Sequence, residues 1–379
     1  MAAKKVLLLY ISEHSGHHCA SLAIEKALHK LDSQIETLNL NSFNYTNPIL
    51  EKVINKAYLG VVRRTPEIWD YLYDNPEVLK KTQRLREMIH HFNTGKLKVL
   101  LDEFKPDAIV CTQAFPCGMI ADYKKSFNLN APLIGVLTDY APHSYWIYDN
   151  VDKYIVPSAE TGKKLIDNGI DPSKIEIFGI PIDSKFMSAS GRDELCKELS
   201  IDKYIPSVLI MGGTQGFGPI KEMVRLLDRS NMELQMIIAT GTNKRLYNWL
   251  KSRSFQRKVM ILSYATNIDE LMDVSSLIIT KPGGITTAEA LAKGIPMLIV
   301  NPLPGQEAMN TKFLLKEGVS VKAESPQDVV IVLRELLYNK NKLKIMRNRA
   351  IALSKPDSSI NIAKLVLRIS RPDDILYPI

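Results

Sequence analysis

A histidine flanked by glycine stands where an apolar run gives way to a helical pattern. The stretch SEHSGHHCA (Ser12 to Ala20) follows the run Val6 to Ile11, which places His17 or His18 at the N-terminus of a helix. The helix dipole lowers the pKa of an imidazole there and keeps it neutral, as a general base requires. These residues alone leave a purely structural histidine open as the alternative.

Two further polar candidates follow a later apolar run. The stretch VLTDYAPHSYW continues the run PLIGVL and contains Asp139 and His143. Parallel strands present their carboxyl ends at one edge of a sheet, so we expect both residues to lie on the same side as His17. For Asp139 the alternative is simple capping of a neighbouring backbone turn.

The stretch MGGTQGFGP (Met211 to Pro219) joins an apolar run to a helical pattern through four glycines. Glycines allow sharp turns and a close approach of backbone N–H groups to an anion, which predicts a phosphate site. The stretch lacks the Lys-Ser/Thr ending of a P-loop and the spacing of the dinucleotide fingerprint. A tight turn without a ligand therefore remains open.

A second glycine turn follows in TKPGGITTAEALAKGIP, from Thr280 to Pro296. We expect a helix here that Thr286 or Thr287 caps and that Gly294 ends. Two strand–glycine–helix elements in one half of the chain predict a diphosphate site. Glu289 lies in the early turns of this helix, where it complements the helix dipole or contacts a ribose hydroxyl.

The run NPLPGQEAMN follows another apolar strand pattern. Its Gln306, Glu307 and Asn310 carry amide and carboxylate groups that suit sugar hydroxyls. Ordinary loop polarity explains these residues equally well when they are considered alone.

Short apolar runs alternate with helical patterns along all 379 residues, which predicts βαβ units and parallel sheets. The predicted strands are VLLLYI at Val6, AIVC at Ala108, PLIGVL at Pro132, KYIVP at Lys153, VLIMGG at Val208, MIIATG at Met236, VMIL at Val259, LIIT at Leu277 and PMLIV at Pro296. A polar segment near residue 191 separates two such series, and one hydrophobic core rarely organises so long a chain. We therefore predict an α/β protein of two doubly wound domains, residues 1–190 and 191–355. The tail, 356–379, is predicted to contain a helix that packs back across the domain junction.

The composition is that of a folded globular protein, with 45% hydrophobic and 24% charged residues. A net charge of +8 favours anionic partners such as phosphorylated ligands or lipid headgroups. The four cysteines show no paired spacing, which favours a reducing cytoplasmic compartment. The sequence contains no apolar run of the ~20 residues that a spanning helix needs, so we expect peripheral membrane contact.

The segment Leu79 to Val99 combines apolar residues at helical spacing with basic residues, which is typical of a helix on an anionic membrane surface. An ordinary helix with a solvated charged face is the alternative. Aromatic residues that suit a membrane interface precede it. The residues we assign to membrane or acceptor contact here are Trp69, Lys80, Lys81, Arg84 and Phe92.

Taken together, these motifs resemble the monogalactosyldiacylglycerol synthases and processive diacylglycerol glucosyltransferases, within the family 28 glycosyltransferases. They are more distantly similar to the peptidoglycan N-acetylglucosaminyltransferase. The resemblance runs nearly end to end, although the first loop reads EHSGH where relatives have more glycine. It is carried by SGH, TDY with His143, DKYIVPS, GIPI, MGG with GFGP, ITKPGGITTAEA and PLPGQEAMN.

This resemblance implies a GT-B fold, in which two Rossmann-like domains face a central cleft. It also implies an inverting, metal-independent transfer without a cofactor, and the sequence has no Asp-x-Asp metal motif. The implied partners are UDP-glucose or UDP-galactose, a diacylglycerol-type lipid acceptor and an anionic membrane surface at the inner face of the cell membrane. No nucleic acid is expected. The open alternatives are another acceptor, a UDP-sugar epimerase and a non-catalytic binding protein.

Site residues follow from the resemblance by position. His17, and secondarily Asp139, would act as the base, and His143 would lie on the acceptor side. The implied donor contacts are Gly213, Thr214, Gln215, Gly216, Gly241 and Asn243 at the diphosphate, Tyr264 and Ala265 at uracil, Pro282, Gly283, Gly284, Thr286 and Thr287 at the phosphates, Glu289 at the ribose, and Gln306, Glu307 and Asn310 at the sugar.

Overall fold

The computed structural model describes residues 3–46, 95–188 and 191–370. The described chain forms two compact units. One contains the residues up to Ser184, Pro304–Gln306 and the residues from Asp357 onwards, and the other contains Lys185–Leu303 and Glu307–Pro356. The predicted domain bounds, 1–190, 191–355 and 356–379, stay predictions.

The first unit is built on a six-stranded parallel sheet in the order β2-β1-β3-β4-β5-β6. Residues 95–104 are also helical, and 3-10 turns occupy Ser144–Trp146 and Pro172–Lys174. Its elements are β1 (Lys5–Tyr10), α1 (Gly16–Leu31), β2 (Glu36–Asn41), α2 (Ser42–Thr46), β3 (Ala108–Cys111), α3 (Ala114–Phe127), β4 (Leu133–Val136), β5 (Lys153–Ile155), α4 (Ala159–Asp167) and β6 (Ile175–Glu176).

The central strands of this sheet are apolar because both of their faces are covered. Val6 to Leu9 in β1 are nearly inaccessible, and buried clusters cover the two sides of the sheet. Continuous apolar runs, instead of alternating ones, are typical of such parallel strands. They account for the correct prediction of β1, β3, β4 and β5.

A C-terminal helix, α13 (Ser358–Ile369), completes the first unit. It packs against α1, and its Ile362 and Val366 are fully buried. Ser358 Oγ donates to the carbonyl of Gly179 at 2.8 Å, and Lys4 Nζ donates to the carbonyl of Leu367 at 2.8 Å. Helix α13 is thus part of the core of the same unit as β1 and α1.

The second unit repeats the architecture, with strand order β12-β11-β10-β7-β8-β9. All neighbouring strands are parallel. A 3-10 turn, Ser184–Met187, precedes it. Its elements are α5 (Arg192–Glu198), β7 (Ser207–Met211), α6 (Ile220–Asp228), β8 (Gln235–Ala239), α7 (Lys244–Lys251), β9 (Val259–Leu262), α8 (Ile268–Val274), β10 (Leu277–Thr280), α9 (Gly284–Ala292), β11 (Met297–Val300), α10 (Gln306–Lys316), β12 (Ser320–Ala323), α11 (Pro326–Tyr338) and α12 (Lys340–Leu353).

Three strands have no counterpart in the sequence analysis, namely β2, β6 and β12. Each lies at an edge of its sheet. The sequence of β2, ETLNLN, is half polar and mostly half-buried, β6 has only two residues, and β12 reads SVKA. Edge strands are covered less completely, so their sequences lack the continuous apolar run that marks the inner strands.

The packing of α13 on α1 can be tested with a matched pair of substitutions. We expect Ile362→Ala to lower the free energy of unfolding by about 2 to 5 kcal/mol, because it removes buried methyl groups and leaves a cavity. Ile331→Ala removes the same atoms from a side chain that is 68% exposed. Urea denaturation of both variants measures the difference, and equal losses would contradict the packing.

Candidate functional site

His17 lies in the first turn of α1, directly after the loop that leaves β1. Ser15 caps this helix by accepting a hydrogen bond from the backbone N–H of His18 at 3.2 Å. Ser12 and His14 adopt left-handed backbone angles, with φ of 63° and 59°. Left-handed backbone angles are energetically unfavourable for residues other than glycine, and residues with such angles occur frequently in functional loops. The loop therefore makes these left-handed turns without glycine at either position.

The ring of His17 is held by the two neighbouring strands. Its Nδ1 lies 2.9 Å from the backbone carbonyl oxygen of Thr112 and 3.0 Å from Oγ1 of Thr138. A carbonyl can only accept, so Nδ1 carries the ring hydrogen in the neutral imidazole. The lone pair then resides on Nε2, which forms no hydrogen bond with any residue of the described ranges. This is the tautomer that can accept a proton at Nε2.

Backbone contacts fix the helix as well as the ring. Thr112 Oγ1 donates a hydrogen bond to the carbonyl oxygen of His17 at 2.9 Å. Thr112 therefore holds both the ring of His17 and the backbone at the start of α1. Thr112 and Thr138 are buried, with exposures of 0% and 5%. The sequence analysis did not identify either threonine as a functional residue. Thr138 stands in the TDY motif beside Asp139, which was the available signal.

The imidazoles of this site are kept neutral by their surroundings. Burial lowers the pKa of His17, although the hydrogen bond to the Thr112 carbonyl opposes that shift. Burial, and secondarily the nearby His17, lowers the pKa of His143 to about 3. Asp139 is half-buried at the carboxyl end of β4, directly after Thr138. His17, Asp139 and His143 all lie in the first unit, and His17 is close enough to His143 to lower its pKa. Their roles stay predictions.

In the second unit the predicted glycine loops meet at the carboxyl ends of β7 and β8. The backbone N–H of Thr242 donates to the Thr214 carbonyl at 2.8 Å, and Asn243 Nδ2 donates to the Gly216 carbonyl at 3.2 Å. Asn243 also caps α7 by accepting from the N–H of Leu246. The two loops therefore form one continuous backbone surface.

Glycine is required where these loops touch. Gly216 and Gly241 have φ of 56° and 58°, and a Cβ on Gly241 would lie 2.1 Å from the Thr214 carbonyl oxygen. Gly213, at φ 68°, lies under the side chain of Lys281, whose Cε would be 2.9 Å from an added Cβ. The close approach positions an ammonium group over the first glycine turn.

Lys281 follows β10 and pairs with Glu307 at the start of α10. Its Nζ lies 2.5 Å from Glu307 Oε1, and Oε2 of the same carboxylate accepts the N–H of Leu303 at 2.8 Å. Both side chains are largely buried. The predicted sugar-recognition residue Glu307 thus lies beside the glycine turns, and a cation directly balances its charge. The sequence analysis did not predict this pairing.

A buried side chain, that of Asn310, stabilises the Pro-Gly-Gly turn before α9. Fully buried Asn310 donates from Nδ2 to the Pro282 carbonyl at 3.0 Å, which makes it a support of the loop. The expectation that Thr286 or Thr287 caps α9 is wrong. The helix already begins at Gly284 with Gly283 in the cap position, so both threonines lie inside its first turns.

The remaining predicted donor residues occupy the same edge of the second sheet or the helices that follow it. Thr287 is fully buried, and its hydroxyl has no hydrogen-bond partner among the residues described. Gln215 and Tyr264 are exposed. Thr286, Glu289 and Ala265 are half-buried, and Gln306 is the first residue of α10. Gly294 ends α9 with φ of 62°, as predicted.

The remaining predictions concern membrane contact, metal binding, membrane-spanning helices and the cysteines. Trp69, Lys80, Lys81, Arg84 and Phe92 lie outside the described residues. Within those residues, no group of three or more His, Cys, Asp or Glu is arranged to hold a metal ion. None of the described helices has the length and apolar character needed to cross a membrane. The four cysteines are free thiols, and burial raises the pKa of Cys111.

The neutral state of His143 predicts a pH-dependent stability. The pKa of His143 is about 6.5 in the unfolded chain and about 3 in the folded chain. Between these two pH values the unfolded chain binds a proton at His143 and the folded chain does not. The free energy of unfolding therefore falls as the pH drops below 6.5 towards 3. Between about pH 7 and about pH 5, His143 contributes a loss of about 2 kcal/mol.

We expect His143→Gln to reduce that acid-induced loss by about this amount, because glutamine does not titrate. Urea denaturation of wild type and variant at the two pH values measures the effect. Equal pH dependence in both proteins would show that His143 is not held neutral.

Comparisons with known proteins assign each part of the chain to a family. Residues 17–182 match the family described as Monogalactosyldiacylglycerol (MGDG) synthase, and residues 207–362 match the Glycosyltransferase family 28 C-terminal domain. A processive diacylglycerol beta-glucosyltransferase of Staphylococcus epidermidis is 29% identical over 380 aligned positions, which cover 98% of this chain and 95% of that protein.

Solved structures share the fold at lower sequence identity. MurG of Acinetobacter baumannii superimposes with a TM-score of 0.60 at 14% identity, covering 96% of this chain and 99% of that one. A UDP-GlcNAc 2-epimerase from Neisseria meningitidis, solved with UDP-GlcNAc, gives 0.62 at 15% identity, covering 96% and 100%. The predicted GT-B fold, with two Rossmann-like units, is confirmed. With both matches in sequence order and a relative aligned over nearly the full length, residues 17–182 belong to the monogalactosyldiacylglycerol synthase family and residues 207–362 to the glycosyltransferase family 28 C-terminal domain family.

Proposed function

We propose that this protein transfers glucose or galactose from a UDP-sugar to diacylglycerol or a glycosyl-diacylglycerol, with inversion and without a metal. The observation that carries the proposal is the neutral His17, whose Nδ1–H is bound by Thr112 and whose Nε2 remains available. A hydroxyl acceptor needs such a base at neutral pH. The named relative acts on diacylglycerol, which supplies the acceptor class.

The donor is assigned to the glycine loops of the second unit. The turns at Gly213 and Gly241 expose backbone at the carboxyl ends of β7 and β8, where open α/β sheets bind ligands. Lys281 lies over the first turn and is paired with Glu307. A bound diphosphate would compete with that carboxylate for the ammonium group, so donor binding would loosen the pair and free Glu307 for sugar hydroxyls.

The transfer itself is a single displacement. The acceptor hydroxyl gives its proton to Nε2 of His17 while its oxygen attacks the anomeric carbon from the face opposite UDP. The bond between the anomeric carbon and the diphosphate oxygen breaks, and UDP leaves with the bonding electron pair. Backbone N–H groups of the loops and Lys281 stabilise the negative charge that develops on the leaving group. An α-linked donor yields a β-glycoside.

The direct test incubates the protein with labelled UDP-glucose or UDP-galactose and vesicles that contain diacylglycerol. We expect a labelled glycolipid with one of the two donors, in the presence of a metal chelator as well as in its absence. Isomerised nucleotide sugar without labelled lipid would instead establish an epimerase. Nucleotide binding without either product would leave a binding protein or another acceptor, and would refute the proposal.

The role of His17 and its support predicts a graded series of variants. We expect His17→Ala to lower kcat by about 10²- to 10⁴-fold at saturating donor, since it removes the base. Thr138→Val keeps the shape of the side chain but removes its hydroxyl from Nδ1, so kcat should fall by about tenfold with the donor KM unchanged. Thr138→Ser should restore most of the rate.

The pH profile separates this role from a purely structural one. Because Thr138 restrains the ring of His17 in this proposal, we expect Thr138→Val to shift the acidic limb of the pH profile of kcat and also to lower the maximum value of kcat. A His17→Ala protein that keeps substantial activity at saturating donor would exclude His17 as the base.

A further inference from the structure

The second unit carries a concentrated positive charge that the proposed reaction does not use. Residues 219–260 contain nine basic and three acidic residues, so one ninth of the chain holds six of its eight net positive charges. Eight of the nine basic residues are exposed. The exposed ones are Lys221, Arg225, Arg229, Lys244, Arg245, Lys251, Arg253 and Lys258.

Three of these cations surround one aromatic ring. Lys221 Nζ lies 5.4 Å from the centroid of the Trp249 ring, and the guanidinium carbons of Arg225 and Arg253 lie 4.8 and 5.0 Å from it. Lys221 and Arg225 are one turn apart on α6, while Trp249 and Arg253 are one turn apart at the end of α7. We call these four residues the tryptophan cluster.

The cluster has no counter-charge of its own. Across the described residues, the side chains of Lys221, Arg225 and Arg253 form neither an ion pair nor a hydrogen bond with another group. Glu222, the nearest acid in sequence, accepts a hydrogen bond from Gln327 at 2.9 Å. Stacking engages the face of a guanidinium and leaves its N–H edge free, so the cluster presents unused donors to an oxyanion.

The ring of Trp249 is held in place by the hydrophobic core of the second unit. Trp249 is half-buried and packs against the core of the second unit, together with Phe255 and Val259. It therefore holds the cations on a rigid platform. Lys251 lies over Tyr247 on the same helix at 5.7 Å and extends the pattern of cations on aromatic rings. Amphipathic aromatic rings beside lysine and arginine are typical of surfaces that contact lipid headgroups.

We propose that the tryptophan cluster docks the second unit on the phosphate groups of an anionic bilayer. The choice of a bilayer rests on the proposed function, because the acceptor and the product of that reaction remain in a membrane. Charge complementarity supplies the attraction, and each basic residue near an anionic surface strengthens binding by about fivefold. The four residues of the tryptophan cluster lie outside the sequence segment 79–99 for which membrane contact is predicted.

The test compares two variants with equal loss of charge. The first combines Lys221→Gln, Arg225→Gln and Arg253→Gln. The control combines Arg334→Gln, Lys340→Gln and Lys344→Gln, three exposed residues of α11 and α12. Binding is measured by co-sedimentation with vesicles of phosphatidylcholine and phosphatidylglycerol in a two-to-one mixture, and with phosphatidylcholine alone.

We expect the cluster variant to bind the anionic vesicles on the order of 100-fold more weakly, and the control to stay within about twofold of wild type. Neither change should alter the thermal midpoint, and the single Arg225→Gln provides a milder substitution that keeps most of the cluster. Equal losses in both variants, or no loss in the cluster variant, would overturn the proposal. So would tighter binding of a single-stranded oligonucleotide than of anionic vesicles.

A second readout locates the contact. Vesicles with brominated acyl chains should quench the fluorescence of wild type more than that of Trp249→Phe, and unchanged quenching would overturn the proposal. These binding measurements need neither donor nor acceptor, so they succeed or fail independently of the glycosyl transfer. Transfer measured in neutral detergent micelles should be the same in the cluster variant and the wild type.

Discussion

Parallel strands end at one edge of their sheet, and both units of this protein use that constraint to collect polar groups that are far apart in sequence. In the first unit, β1, β3 and β4 are neighbours, so the loop after β1 receives Thr112 from the end of β3 and Thr138 from beyond β4. In the second unit, β10, β7 and β8 are neighbours, and their ends bring Lys281 and the two glycine turns together. Without parallel pairing, these groups would not meet.

The polar groups at each edge are then held by different physical means. The imidazole of His17 is fixed by a backbone carbonyl, an acceptor that cannot titrate or change its orientation without moving β3. The donor loops are fixed by backbone contact, since Gly241 lies too close to the Thr214 carbonyl for any side chain. Both devices position groups without adding charge. The one ion pair among them, between Lys281 and Glu307, leaves a cation and a carboxylate that a diphosphate could separate.

The proposed base site and the proposed membrane contact differ in the charge state and the burial of their side chains. His17 and His143 in the first unit are neutral because burial disfavours the imidazolium form. The cations of the tryptophan cluster lie at the surface, where water and the aromatic face of Trp249 make like charges tolerable. Chemistry that needs a free base is thus associated with buried groups, and attraction to an anionic surface with exposed ones.

Local patterns in the sequence were enough to predict the α/β class, the inner strands and the positions of the glycine turns, because continuous apolar runs and glycine-rich turns are local signals. They also predicted His17 at the start of a helix. They missed the edge strands β2, β6 and β12, and they placed the cap of α9 at Thr286 or Thr287 when the helix begins earlier, at Gly284.

Which ring nitrogen of His17 carries the hydrogen depends on long-range contacts in the fold, since Thr112 and Thr138 lie 95 and 121 residues away in sequence. The tertiary structure also decided that Glu307 is paired with Lys281 and that three cations share the ring of Trp249. Such contacts depend on which strands become neighbours and which helices pack side by side. No local periodicity encodes these relations, because they arise when distant segments bury their apolar faces together.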